Sequence, residues 1–171
     1  MRDRGFDASV IAEQLELAKR GEILETLVVA TAEAFAEVAL GSGIGLLEAN
    51  GLDDYANKET LAAYRDEDEK YDWRAIPRER LNQYSSSLSF FDAEGMRFHL
   101  PAFLIADMRG NYAFDLVYNL TQSTLLEDQC ALLTESQRKV VRKYLQFAEE
   151  EEDHEFDREH IQRALESYWA E

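Results

Sequence analysis

Two short patterns late in the chain have the residue types of a metal site. Glu151-x-x-His154 and Asp157-x-x-His160 each set a carboxylate and an imidazole one helical turn apart. Bundle carboxylate centres use that spacing on paired helices. Arg97 and His99, with Asp92 and Glu94 close by, form a second candidate. On a strand, Arg97 and His99 would share a face and make an acid–base pair or a small anion site. Neither signal is specific. Where acids are this dense, Glu-x-x-His pairs arise by chance, and the cluster reads as a solvated acidic face. Proton transfer needs a pocket and a positioned partner; an Arg97–carboxylate pair and a His99 bonded to backbone are the simpler reading. Ser42 lies in no Gly-x-Ser-x-Gly elbow. Cys130, the only cysteine, reads as a small buried hydrophobe and excludes an intrachain disulfide or a thiolate zinc cage. No catalytic residue, metal ligand or cofactor is assigned.

Charge is the stronger signal. The 171 residues carry 35 acids against 18 lysines and arginines, a net −17. Residues 149–171 hold ten acids and two bases, and residues 45–72 hold nine and three, whereas residues 77–147 balance at eight each. A phosphate backbone or anionic lipid needs a basic footprint, so nucleic acid and membrane surfaces are excluded as partners. A basic protein surface would be attracted. The binding residues expected are Asp66, Glu67, Asp68, Glu69, Glu149, Glu150, Glu151, Glu152 and Asp153, together with Arg97 and His99. The N-terminus shows no secretory leader, which predicts a cytoplasmic protein.

The elements that must position these residues are mainly helical. Helices are expected from Asp7 to about Arg20, ended by Gly21, and from Glu22 to about Leu40. Two short helices follow at Leu46–Ala56 and Asn57–Glu69, and a third at Pro77–Gln83. Gly41-Ser-Gly-Ile-Gly45 leaves a helix and precedes no Lys-Ser/Thr pair, so it reads as a helix end rather than a phosphate loop. Ser87–Leu100 reads as a hairpin: Met96, Phe98 and Leu100 alternate after the turn signal Asp92-Ala-Glu-Gly95. A helix then runs from Pro101 through Met108. Tyr112–Leu120 fits strand or helix, with helix slightly favoured. Thr134-Glu-Ser-Gln137 is a capping box. Its helix carries Arg138, Lys139, Arg142 and Lys143 near its start, where the macrodipole disfavours cations; the sequence offers no folding reason for them. A last helix, Glu155–Trp169, aligns Ile161, Ala164, Leu165, Tyr168 and Trp169. The expectation is an α+β, mainly helical domain over residues 1–150, built around one antiparallel β-hairpin at about 87–100. Residues 151–171 are expected as an appended acidic, amphipathic helix.

The middle of the chain resembles a family of small, functionally uncharacterised bacterial proteins. The resemblance is carried by Gly43-Ile-Gly-Leu-Leu-Glu-Ala49, Asp66-x-Asp-Glu69, Trp73-x-x-Ile-Pro77 and Leu88-Ser-Phe-Phe-Asp-x-x-Gly-Met-Arg-Phe-His-Leu-Pro-Ala102. It spans about residues 30–150, implies no activity, and marks residues 1–30 and 150–171 as additions. The function expected is a non-catalytic acidic protein-binding module, of immunity or antitoxin type, docking on a basic partner. The alternative is an enzyme, metal-dependent or acid–base, using the Arg97/His99 face or the Glu151, His154, Asp157 and His160 cluster. Self-association is expected through Phe156, Ile161, Leu165, Tyr168 and Trp169.

Overall fold

The computed structural model describes residues 8–170. Among them there is no strand. The helices are α1 (Ala8–Ala34), α2 (Leu46–Asp53), α3 (Lys58–Glu67), α4 (Arg78–Gln83), α5 (Ala93–Met108), α6 (Leu116–Thr121), α7 (Leu126–Gln129), α8 (Glu135–Glu150) and α9 (Arg158–Glu166), joined by short 3-10 turns. No helix among the described residues is long and apolar enough to cross a membrane.

The expected hairpin is replaced by the central helix. Asp92, read as part of a turn, is the N-cap of α5, and its carboxylate accepts from the Gly95 amide at 2.8 Å. That is the usual role of an acid at an N-cap. The alternation of Met96, Phe98 and Leu100 misled because α5 is buried nearly all round. His99 and Phe103 are buried as well as those three. A helix with no polar face shows no 3.6 period. Pro101 lies in the middle of α5, not at a helix start. It has no amide to give the Arg97 carbonyl, an interior cost of about 3 kcal/mol that the surrounding core must offset.

Gly21 does not break the first helix: α1 runs continuously through it and stops at Ala34, short of Leu40. The Asp7 N-cap lies outside the described residues. The carbonyls left open at the end of α1 are taken by side chains. Trp73 Nε1 donates to Phe35 O at 2.9 Å, and Gln137 Nε2 donates to Ala34 O at 3.1 Å. The first half of α1 is an arm with Val10, Ile11, Leu15 and Leu17 exposed, while Leu27, Val28 and Thr31 of the second half are buried.

The glycine loop packs on the start of α5. Asp92 Oδ1 also accepts from Ile44 N at 3.0 Å, and Ser42 Oγ donates to Glu94 Oε2 at 2.6 Å. A side chain at Gly95 would run into the Ile44 carbonyl, a backbone atom that has little room to move. Alanine normally favours a helix over glycine. Here Gly95→Ala is expected to destabilise by about 1–3 kcal/mol, the usual cost of overpacking, read as a lowered urea midpoint.

The last helix is part of the core. Ile161 and Trp169 have no exposed surface. Trp169 Nε1 donates to Leu120 O at 2.8 Å. Arg142 Nε donates to Trp169 O at 2.6 Å and its Nη2 to Ala170 O at 3.1 Å; Arg138 donates to Tyr168 O and lies over the Tyr168 and Trp169 rings. These contacts supply the folding reason for two of the cations at the start of α8. The capping box of α8 forms as the sequence indicates.

Candidate functional site

Several of the expected binding acids are engaged within the fold. Asp68 is buried and accepts from Leu47 N at 2.8 Å and Glu48 N at 3.1 Å, closing the open amides of α2. Burial raises its carboxyl above the usual carboxylate range, and the two amides oppose that. Glu69 Oε1 accepts from the amides of Lys70, Tyr71 and Asp72, which hold its carboxyl below the usual range. Glu48 is buried against Arg65, which reaches it with two donors at 2.6 and 2.9 Å. Glu67 pairs with Arg80 at 3.1 Å, and Asp66 is exposed.

Arg97 and His99 form no exposed sheet face: both lie on α5, with His99 buried and Arg97 half-buried. His99 stacks on Phe91 with ring centres 4.4 Å apart, and its Nδ1 lies 2.7 Å from Gly95 O. A carbonyl can only accept, so Nδ1 carries the hydrogen. Burial lowers the His99 pKa to about 4, and the ring is neutral at pH 7. Arg97 Nε is a buried nitrogen without a hydrogen-bond partner among the described residues.

The second acidic block is divided. Glu149 O accepts from Arg158 Nε at 2.9 Å, Glu149 Oε1 accepts from Gln162, and Glu151 pairs with Arg20 of the α1 arm. Glu150, Glu152 and Asp153 are exposed. His154 Nδ1 lies 3.5 Å from Asp157 Oδ2. Among the described residues, no three His, Cys, Asp or Glu side chains are placed to hold a metal ion.

Glu151, Asp153 and His154 do come together, with partners that the sequence did not indicate. They line a cleft of about 310 Å³ with Asp107, Tyr112, Tyr144 and Phe147. The end of α5 shapes it. Gly110 has φ +66° and, with Asn111, donates back to Asp107 O and Ala106 O at 2.8 Å each. This is a Schellman ending, which needs the left-handed conformation that glycine supplies. It leaves Asp107 and Met108 lining the cleft. Tyr144, one helix away on α8, donates its hydroxyl to Asp107 Oδ2 at 2.6 Å. Burial pushes the Asp107 carboxyl above the ordinary range, while the Tyr144 hydrogen bond and nearby His154 pull it down. The Tyr112 and Tyr144 hydroxyls are both pushed up by burial, so both remain protonated donors at pH 7. The cleft thus offers three carboxylates, two of them on its α8 side, against aromatic walls. Its chemistry suits a cation. Asp107 was invisible as a site residue because its neighbours in sequence are apolar and its partner Tyr144 is 37 positions away.

Fold and site together define a helical domain with an acidic, aromatic cleft where two helices end. The chain belongs to a family of unknown function (DUF6714), whose model matches residues 24–171. The match takes in α9, beyond the 30–150 span of the resemblance, and begins within α1, leaving most of the exposed arm outside it. No curated protein and no solved structure matches the chain.

Proposed function

We propose that the protein is a non-catalytic acidic binding module that docks on a basic protein, as an immunity or antitoxin protein covers its target. In this reading the Asp107 cleft receives a lysine or arginine side chain of the partner. The observation that carries it is the Asp107–Tyr144 hydrogen bond at 2.6 Å, which holds a carboxylate fixed at a cleft rimmed by Glu151 and Asp153. A fixed acceptor binds a cation without losing rotamer freedom on contact. The exposed acids Glu150, Glu152 and Asp153 would add long-range attraction and speed encounter.

A lysine decapeptide serves as the probe, titrated by calorimetry at low and at physiological salt. Binding is expected to weaken with salt. Asp107→Asn and Asp153→Asn are expected to weaken it about tenfold, the 1.4 kcal/mol of one lost charge contact. Asp54→Asn, at the end of α2 and outside the cleft lining, is expected to leave it within about twofold. Equal losses at all three positions would leave only diffuse attraction and reject the cleft as a docking point.

The raised Asp107 carboxyl beside His154 supports a second reading, an acid–base enzyme at the same cleft. It differs by its readout. A reaction would show as turnover that Tyr144→Phe abolishes, whereas a docking cleft shows no turnover, and Tyr144→Phe only weakens its affinity for the decapeptide by freeing the Asp107 carboxylate.

A further inference from the structure

A second cleft lies beside the same Schellman turn, with the opposite character. It measures about 420 Å³ and is lined by α1, α4, α5 and the 3-10 turn at Trp73. That volume is within the range of small-molecule sites. Its lining includes Arg74, Arg78 and Arg109 and no carboxylate, in a chain of net charge −17. Its floor is apolar, with Trp73, Ile105 and Ala106 among the lining side chains. Three cations and no carboxylate line this apolar floor, on a protein where acids outnumber bases nearly two to one.

The arginines are positioned but still accessible. Arg74 lies over the Trp73 ring at 4.4 Å and donates to Ala32 O at 3.2 Å. Each arginine pairs with a carboxylate outside the lining: Arg74 with Asp72 at 3.3 Å, Arg78 with Glu79 at 3.1 Å, and Arg109 with Glu25 at 3.6 Å. All six side chains are at least 43% exposed. Exposed pairs of this kind hold weakly, so a ligand carboxylate offering bidentate geometry can displace one.

We propose that this cleft binds an amphiphilic carboxylate, a molecule with one anionic head and an apolar tail. The head is held by Arg78 and Arg109, and the tail lies on Trp73, Ile105 and Ala106. The proposal is independent of the acidic cleft and stands whether or not a basic partner docks there.

The test uses the full chain labelled with nitrogen-15 and four probes: octanoate, octanol, octylammonium and acetate. Octanoate is expected to shift the Trp73 indole resonance and the amides of Ile105 and Ala106. Octanol and acetate, each missing one half of the ligand, are expected to bind at least about tenfold more weakly, and octylammonium not at all. The double variant Arg78→Glu/Arg109→Glu is expected to lose octanoate binding by more than tenfold while keeping its melting temperature, since both side chains are exposed. Contacts between the octanoate tail and Ile105, seen by nuclear Overhauser effect in the unaltered protein, give a readout that needs no variant. The proposal fails if octanol or octylammonium binds as well as octanoate, if acetate alone suffices, or if the shifted resonances lie elsewhere.

Discussion

Replacing Trp169 by alanine is expected to be among the most damaging single changes in the molecule. Tryptophan-to-alanine changes in cores cost about 3–5 kcal/mol. In a chain of this size that lowers the melting temperature by roughly 10 °C. The ring is fully buried, packs edge-on to Tyr168, and lies under the Arg138 guanidinium. Its loss also strands the Leu120 carbonyl, which accepts from the indole. Trp169→Phe separates these contributions. It keeps most of the apolar contact and leaves the carbonyl unpaired, for an expected loss of about 1–3 kcal/mol. Thermal unfolding followed by circular dichroism checks both. A loss below about 1 kcal/mol for alanine would mean that α9 is only loosely attached.

His99 is expected to make stability fall as the solution is acidified. Its pKa is lowered from 6.5 to about 4 by burial, against weaker opposing contributions from the Gly95 carbonyl and Asp92. The unfolded chain therefore binds a proton between those values that the folded chain refuses. A depressed histidine contributes its full stability above the unfolded pKa and loses it as pH drops towards the folded one. Between pH 7.5 and 5.0 the loss is about 2 kcal/mol, approaching 3 by pH 4. The raised carboxyls of Asp68 and Asp107 work in the opposite sense: a folded state that protonates more readily gains stability on acidification. The histidine contribution is isolated by comparison with His99→Gln, whose amide can still donate to Gly95 O. Urea midpoints at the two pH values should converge between wild type and variant as pH drops. If the gap is the same at pH 5.0 and 7.5, the ring is not held neutral by burial.

The two variants mark where the sequence was legible and where it was not. α8 was readable because it is amphipathic and opens with a local signal, Thr134 and Gln137. α9 was readable for the same reason, its stripe facing one way, although what the stripe meets was not. Ile161 and Trp169 are buried within the chain, Leu165 and Tyr168 pack against the same core, and of the five residues expected at a self-association surface only Phe156 stands exposed. α5 was unreadable as a helix in its first half, whereas its second half, Pro101–Met108, was expected as one. Its burial on all sides removes the period that distinguishes helix from strand, and its N-cap signal, Asp92 three before Gly95, is also a turn signal. The distinctive stretches Gly43–Ala49, Asp66–Glu69 and Asp92–Gly95 prove to be joints between elements: Asp92 ties Ile44 to α5, and Asp68 ties α3 to α2. The acidic cleft could be read only in part. Glu151 and Asp153 were singled out by charge density and His154 by its spacing from Glu151, but Asp107, Tyr112 and Tyr144 reach it through folding alone.

The continuity of α1 through Gly21 has a consequence for that helix. Twenty-seven residues form a rod of about 40 Å, and its buried residues, Leu27, Val28 and Thr31, all lie in its second half. Starting a helix in isolation is costly, whereas extending one that already exists is nearly neutral. The anchored turns from Leu24 onward therefore act as a permanent seed, and the outer turns grow from it with no nucleation barrier. Fraying is expected to run from the outer turns inward, as far as side-chain propensity and temperature decide.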